Sequence, residues 1–230
     1  MTYLGSEEEK MAKLYGIGVG PGDKELLTVK AVRIIQSCDV IVAPSALEGG
    51  ESIALETARE YIKEGTEVVI KHFPMGKKDR VIKAIEAYEF IESRLAEGKN
   101  VAFLTIGDPY VYSTYSHLLS HVEEHGFEVE TIPGITSFCA AASLVDRTLV
   151  VGNENLVVMP ATKVKEITDE KFIVVMKVYK HEEEVINTLE EKGFDYVYAS
   201  RVGREGQIVL TDKEEILKLR DYMSLIIASR

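Results

Sequence analysis

Two cysteines, no tryptophan, six prolines and no long apolar run are the scarcities of this 230-residue chain, and each removes a class of protein. Two thiols cannot supply a disulfide framework, so Cys38 and Cys139 are read as reduced and buried. So few prolines exclude a collagenous or polyproline chain. A helix needs about 20 consecutive apolar residues to cross a bilayer, and no segment approaches that. Residues 1–11 include Glu7, Glu8 and Glu9 and lack an apolar centre, so no secretory leader is expected. Residues 1–12 are read as a flexible acidic tail. Positive charge is also short. Lys and Arg total 27 against 38 Asp and Glu, a formal net charge of −11 that repels polyanions and disfavours nucleic acid as a partner. What remains, 46% hydrophobic and 28% charged, is the composition of a soluble globular protein, expected in the cytoplasm.

Short β-branched runs alternate with helical patterns along the chain, which predicts an α/β protein with largely parallel sheets. Strands are expected at 14–19, 40–42, 68–70, 101–105, 129–132, 156–159, 172–177, 196–200, 208–210 and 224–228. A helix over 25–37 takes Asp23 as its N-cap. Another over 79–97 places Ile82, Ile85, Tyr88 and Leu95 near one face and stops at Gly98. Helices are also expected over 113–125 and from near Thr136. The pair Thr211 and Glu214 reads as a capping box opening the last one. Two adjacent sheets are expected rather than one very large one. The domains are placed at 13–112 and 113–230.

The segment Gly16-Ile17-Gly18-Val19-Gly20-Pro21-Gly22-Asp23 follows a predicted strand, where a nucleotide-binding loop would stand. It is a poor dinucleotide fingerprint. One G-x-G-x-x-G frame ends on Pro21, which lacks an N–H, and the other on Asp23, which repels phosphate. A tight turn beside a ligand or a second domain is the better reading. The stretch Thr105-Ile106-Gly107-Asp108-Pro109-Tyr110-Val111-Tyr112-Ser113 lies at the carboxyl end of a predicted strand, where open α/β sheets bind ligands. A plain turn leading into the next helix is its simplest alternative. His117, His121 and His125 share one helical face. Only Glu124 is nearby and no carboxylate or cysteine completes a site, so no metal centre is expected there. Tyr110, Tyr112 and Tyr115 form either core or a flat wall for a large aromatic ligand. Residues 71–80 carry Lys71, Lys77, Lys78 and Arg80 against Asp79 alone, which reads as a solvated loop or a clamp for a small anion.

Taken together, Gly18-Val19-Gly20-Pro21-Gly22-Asp23, Gly107-Asp108-Pro109 and Pro133-Gly134-Ile135-Thr136-Ser137 resemble the tetrapyrrole (class III) methyltransferases over residues 13–230. The segments Ala43-Pro44-Ser45, Gly107 to Tyr115 and the ending Ser224-Leu225-Ile226-Ile227-Ala228-Ser229-Arg230 resemble the branch that methylates C-20 of precorrin-2 or cobalt-factor II in cobalamin synthesis. The resemblance implies two α/β domains, a homodimer and S-adenosylmethionine in an interdomain cleft. By motif match the cofactor contacts fall on Pro21, Ile106, Gly107, Asp108, Val111, Thr136, Ser137, Met176 and Gly203. Relatives acting on uroporphyrinogen carry an acid where Pro44 stands, so no catalytic base is assigned. A tetrapyrrole rich in carboxylates calls for local cations, and Lys71, Lys77, Lys78, Arg80, Arg201 and Arg204 are the candidates, with Tyr110 and Tyr112 against the macrocycle. The alternatives are a relative acting at another corrin position or on the diphthamide precursor (diphthine synthase), and a non-catalytic tetrapyrrole or nucleotide carrier. A carrier has no need of a second motif devoted to the cofactor.

Overall fold

The computed structural model describes residues 12–46, 48–73 and 80–230. The expected acidic tail, apart from Ala12, and Lys77, Lys78 and Asp79 lie outside the described residues, as does the side chain of Arg80. The chain divides into two compact units, one of residues up to Gly20 with Lys24–Ile135, the other of Pro21–Asp23 with Thr136–Arg230.

The first unit runs β1 (Lys13–Gly18), α1 (Val29–Ile35), β2 (Val40–Ser45), α2 (Ile53–Ala58), β3 (Glu67–His72), α3 (Arg80–Ala96), β4 (Val101–Thr105), α4 (Tyr115–Glu124) and β5 (Glu128–Ile132). Its sheet has the order β3-β2-β4-β1-β5 and every pairing is parallel. Every residue of β4, Val-Ala-Phe-Leu-Thr, is buried, as a central parallel strand covered on both faces requires. Its side chains alternate between two cores. Val101 and Phe103 join Tyr88, Ile91, Tyr115 and Leu118 of α3 and α4. Ala102 and Leu104 join Ala31, Ile35, Leu55 and Ala58 of α1 and α2. The sheet is thus wound on both faces.

Helix α3 ends as its sequence predicts. Gly98 has φ +79°, a left-handed conformation that glycine adopts without a Cβ penalty, and the N–H of Lys99 returns to the carbonyl of Arg94 at 3.1 Å. Helix α1 starts later than expected. Thr28, not Asp23, is its N-cap, its hydroxyl accepting from the Ala31 N–H at 3.1 Å, and Lys24–Leu26 form a separate 3-10 turn.

The second unit contains α5 (Ser137–Leu144), β6 (Leu156–Pro160), β7 (Phe172–Met176), α6 (Glu182–Glu191), β8 (Asp195–Ser200), β9 (Ile208–Leu210), α7 (Lys213–Leu219) and β10 (Ser224–Ser229). Its sheet has the order β6-β7-β10-β8-β9. Here the parallel expectation holds only for β6 with β7; β10 enters antiparallel between β7 and β8, and β9 pairs antiparallel with β8. The short β8–β9 connection has no room for a crossover helix, so antiparallel pairing follows. The cap of α7 is shifted by one residue from the expected box: Asp212 accepts from the Glu215 N–H at 2.9 Å.

The domain boundary also differs from the expected 112/113. Strand β5 continues the first sheet, pairing parallel to β1 from Lys13–Glu128 to Ile17–Ile132, so α4 and β5 belong to the first unit. The thiols differ as well. Cys38 is buried, but Cys139, in the first turn and a half of α5, is exposed. Burial, with the Asp39 charge adding to it, pushes the Cys38 thiol up to about 12, so almost no thiolate exists near neutrality. Native protein at pH 8 is therefore expected to titrate one thiol with an aromatic disulfide reagent, and two after denaturation. Two rapid equivalents in the native state would contradict this packing.

Candidate active site

In an open α/β sheet the ligand edge is the point where neighbouring strands send their connections in opposite directions. That point lies between β1 and β4. The chain leaves β1 toward α1 on one face and leaves β4 toward α4 on the other. The turns after these two strands are the first two glycine motifs of the sequence. They are joined directly: Val19 N–H donates to the Thr105 carbonyl at 2.9 Å, Gly107 N–H to the Gly20 carbonyl at 2.6 Å, and Gly20 N–H to the Gly107 carbonyl at 3.3 Å. A pyrophosphate cradle needs such N–H groups free, and here they are spent on the neighbouring turn. The poor dinucleotide fingerprint has its structural counterpart in this closure.

The third glycine motif, after β5, arrives at the same place. A Cβ on Gly134 would stand 2.2 Å from the Gly107 carbonyl oxygen and 2.8 Å from the Cα of Gly18. One on Gly18 would stand 2.5 Å from the nitrogen of Gly134. Three backbone segments far apart in sequence thus touch where no side chain fits. Asp108 fastens them. Its Oδ2 accepts the Gly134 N–H at 3.0 Å and its Oδ1 accepts the Tyr110 N–H at 2.9 Å. The Val111 N–H bonds the Asp108 carbonyl at 3.2 Å and completes the turn. Gly107 has φ +71° and no heavy atom within 4 Å of where a Cβ would stand, so a ligand can approach its backbone. Thr105, at the end of β4, has a buried hydroxyl without a hydrogen-bond partner. An orphaned buried hydroxyl beside an accessible glycine suits a polar ligand.

The tyrosine cluster divides. Tyr115 is fully buried and stacks on Phe103, with ring centroids 6.2 Å apart; burial pushes its phenol up to about 12. It is core, and unsuited to serve as a base near neutrality. Tyr110 and Tyr112 are exposed, and the Tyr110 ring meets that of Tyr115 edge-on, with centroids 6.0 Å apart. The hydroxyls of Tyr110 and Tyr115 both reach Thr131 Oγ1, at 3.0 and 2.7 Å. The role of Thr131 had no sequence signal, because it comes from β5, which β1 separates from β4 in the sheet.

In the second unit, Pro21 is buried and Pro21–Asp23 pack with the turn holding Gly203 and Arg204. The aliphatic stem of Arg204 occupies the space a Gly22 side chain would need, its Cγ 2.2 Å from that position. Thr136 caps α5, its hydroxyl accepting the Cys139 N–H at 3.4 Å, and Ser137 is the first helical residue. Met176 ends β7, half-buried. The cations are less free than their sequence implies. Lys71 lies 4.1 Å from the centre of the Phe90 ring, and burial holds its ammonium below the ordinary lysine value. Arg201 Nε donates to Asp221 Oδ2 at 2.6 Å. Ile106 packs against the core of the first unit.

These features define an α/β protein with a doubly wound sheet whose switch-point turns meet at its carboxyl edge. The chain belongs to the tetrapyrrole (corrin/porphyrin) methylases, whose family profile matches residues 13–217, and it is a methyltransferase. It is 36% identical over 226 residues to the probable cobalt-precorrin-2 C(20)-methyltransferase of Methanocaldococcus jannaschii, covering 95% of this chain and 96% of that protein. It is 35% identical over 174 residues to the cobalt-precorrin-2 C(20)-methyltransferase of Salmonella typhimurium, 73% of each chain. Among solved structures, the uroporphyrin-III C-methyltransferase of Thermus thermophilus complexed with S-adenosyl homocysteine shares the fold. Its TM-score is 0.73 at 19% identity, over 95% of this chain and 98% of that one.

Proposed function

We propose that this methyltransferase moves the methyl group of S-adenosylmethionine to C-20 of a cobalt-precorrin-2 type tetrapyrrole in cobalamin biosynthesis. The observation that carries the reading is the meeting of the three glycine turns at the switch point of the first sheet, in a chain similar over its length to enzymes named for that reaction. Bound there, S-adenosylmethionine supplies a methyl group already activated by its sulfonium. The residues proposed to hold it in the first unit are Ile106, Gly107, Asp108 and Val111 with the orphaned Thr105 hydroxyl; Pro21, Thr136, Ser137, Met176 and Gly203 are proposed on the motif resemblance alone.

C-20 is an electron-rich bridging carbon, so the protein's main work is alignment. Fixing a nucleophile and an electrophile in line supplies up to about 7–11 kcal/mol of the barrier. Asp108 serves this by holding two turns in one geometry rather than by touching the methyl. Tyr110 and Tyr112 offer exposed rings to the macrocycle. Arg204, whose stem lies over Gly22, is proposed to meet a substrate carboxylate on its charge. Lys71 and Arg201 act there only by leaving Phe90 and Asp221. Lys77, Lys78 and Arg80 keep a proposed role resting on charge alone.

No helix among the described residues is long and apolar enough to cross a membrane, and both cysteines are free thiols. Both facts support a cytoplasmic site of action, and we take the working form to be a homodimer, which light scattering would test. The cofactor assignment is tested by calorimetry with S-adenosylhomocysteine. One site per chain is expected, and a folded sample that binds none would overturn the reading.

A further inference from the structure

We propose that Glu92, His121 and His125 form a binding site for one divalent transition-metal ion of the zinc type, clipping α3 to α4 at the end of the first unit. The histidine stripe lacked a carboxylate partner in the sequence because that partner comes from another helix. Glu92 Oε1 lies 3.2 Å from His121 Nε2 and also contacts His125 Nδ1. One donor atom from each residue falls within 4.8 Å of the other two. Tetrahedral zinc with bonds near 2.0–2.1 Å sets its donors about 3.3 Å apart, so small rotamer changes suffice.

Three further observations favour an ion over a hydrogen-bonded trio. His121 Nε2 is closed off from solvent and, although 3.2 Å from Glu92 Oε1, makes no well-aligned hydrogen bond, which is costly for a buried nitrogen. A metal bond would satisfy it. The ring of His121 is held in place by Tyr88, with centroids 5.1 Å apart, so one ligand is already oriented. His125 is about half exposed, its side chain at 51%, which leaves an open side for water to complete four-coordination. Two imidazoles and one carboxylate select zinc, cobalt or nickel over magnesium or calcium. His117, on the same helix, is not part of the group. The site is independent of the methyl-transfer assignment.

The test uses metal-stripped full-length protein. Titration with Zn²⁺ is expected to show one site per chain and a rise in melting temperature, with no response to Mg²⁺ at equal concentration. Co²⁺ should give visible ligand-field bands of a four-coordinate site. Glu92→Ala, His121→Ala and His125→Ala should each weaken Zn²⁺ binding at least tenfold, while His117→Ala leaves it unchanged. His125 is half exposed, so its variant is expected to melt like the wild type without metal and keeps the test valid if the other two fold poorly. Absence of Zn²⁺ binding by the folded wild type would overturn the proposal, as would unchanged binding in a folded His125→Ala.

Discussion

Gly134→Ala is expected to be strongly destabilising. The added carbon would meet the Gly107 carbonyl oxygen at 2.2 Å and Gly18 backbone at 2.8 Å, and neither is the end of a flexible side chain. Backbone must move, which puts the cost at or above the upper end of the roughly 1–3 kcal/mol typical of overpacking. The penalty is steric, because Gly134 does not adopt a left-handed φ. Gly107→Ala makes the contrast. Its φ of +71° is unfavourable for alanine, but the space around it is open, so about 1–2 kcal/mol is expected. Chemical denaturation of the two variants should rank them in that order. Equal midpoints would show that the three turns do not touch as described.

The second large effect is expected at Asp108. Both carboxylate oxygens are committed to backbone N–H groups, of Gly134 and Tyr110. Hydrogen bonds to a charged group contribute about 1.5–3 kcal/mol each when the partner is left unsatisfied, so Asp108→Ala should cost roughly 3 kcal/mol while the protein still melts cooperatively. Its catalytic loss should be larger than its stability loss. A displacement of the Gly107 turn by about 1 Å is enough for a 10²-fold fall in kcat/KM. Asp108→Asn keeps one acceptor, but its amide N–H₂ faces a backbone N–H, so it should recover only part of the loss. Steady-state kinetics at a temperature where both variants are folded decide the point. Wild-type rates in a folded Asp108→Ala would remove the residue from the account.

The motifs at the switch point were legible because each is local. A β-branched run, then Gly107-Asp108-Pro109, announces a strand and a tight turn in nine residues. What the motifs build was less legible, since the contacts among Gly18, Gly107 and Gly134 exist only after β1 lies between β4 and β5. The same non-local pairing explains the misplaced boundary: nothing near Tyr112 says that β5 will return to β1. The antiparallel entry of β10 was hidden for a similar reason, because Ser-Leu-Ile-Ile-Ala-Ser reads alike in either direction. Helix starts erred by a few residues where two caps compete, as Thr28 does with Asp23 and Asp212 with Thr211. Among the cations the sequence shows charge but not commitments, such as the bond of Arg201 to Asp221, twenty residues away. Glu92 is the extreme case. It comes from α3, whereas His121 and His125 lie on α4, and no spacing rule joins them.

The central claim is tested most directly by following the methyl group itself. The protein would be incubated with S-adenosylmethionine carrying a ¹³C-labelled methyl and, in parallel, with cobalt-loaded and metal-free precorrin-2. The account predicts one added methyl per macrocycle, with the label bonded to C-20 by carbon NMR, and faster turnover of the cobalt-loaded substrate. A label at any other ring position, or no transfer by protein that binds S-adenosylhomocysteine, would contradict it.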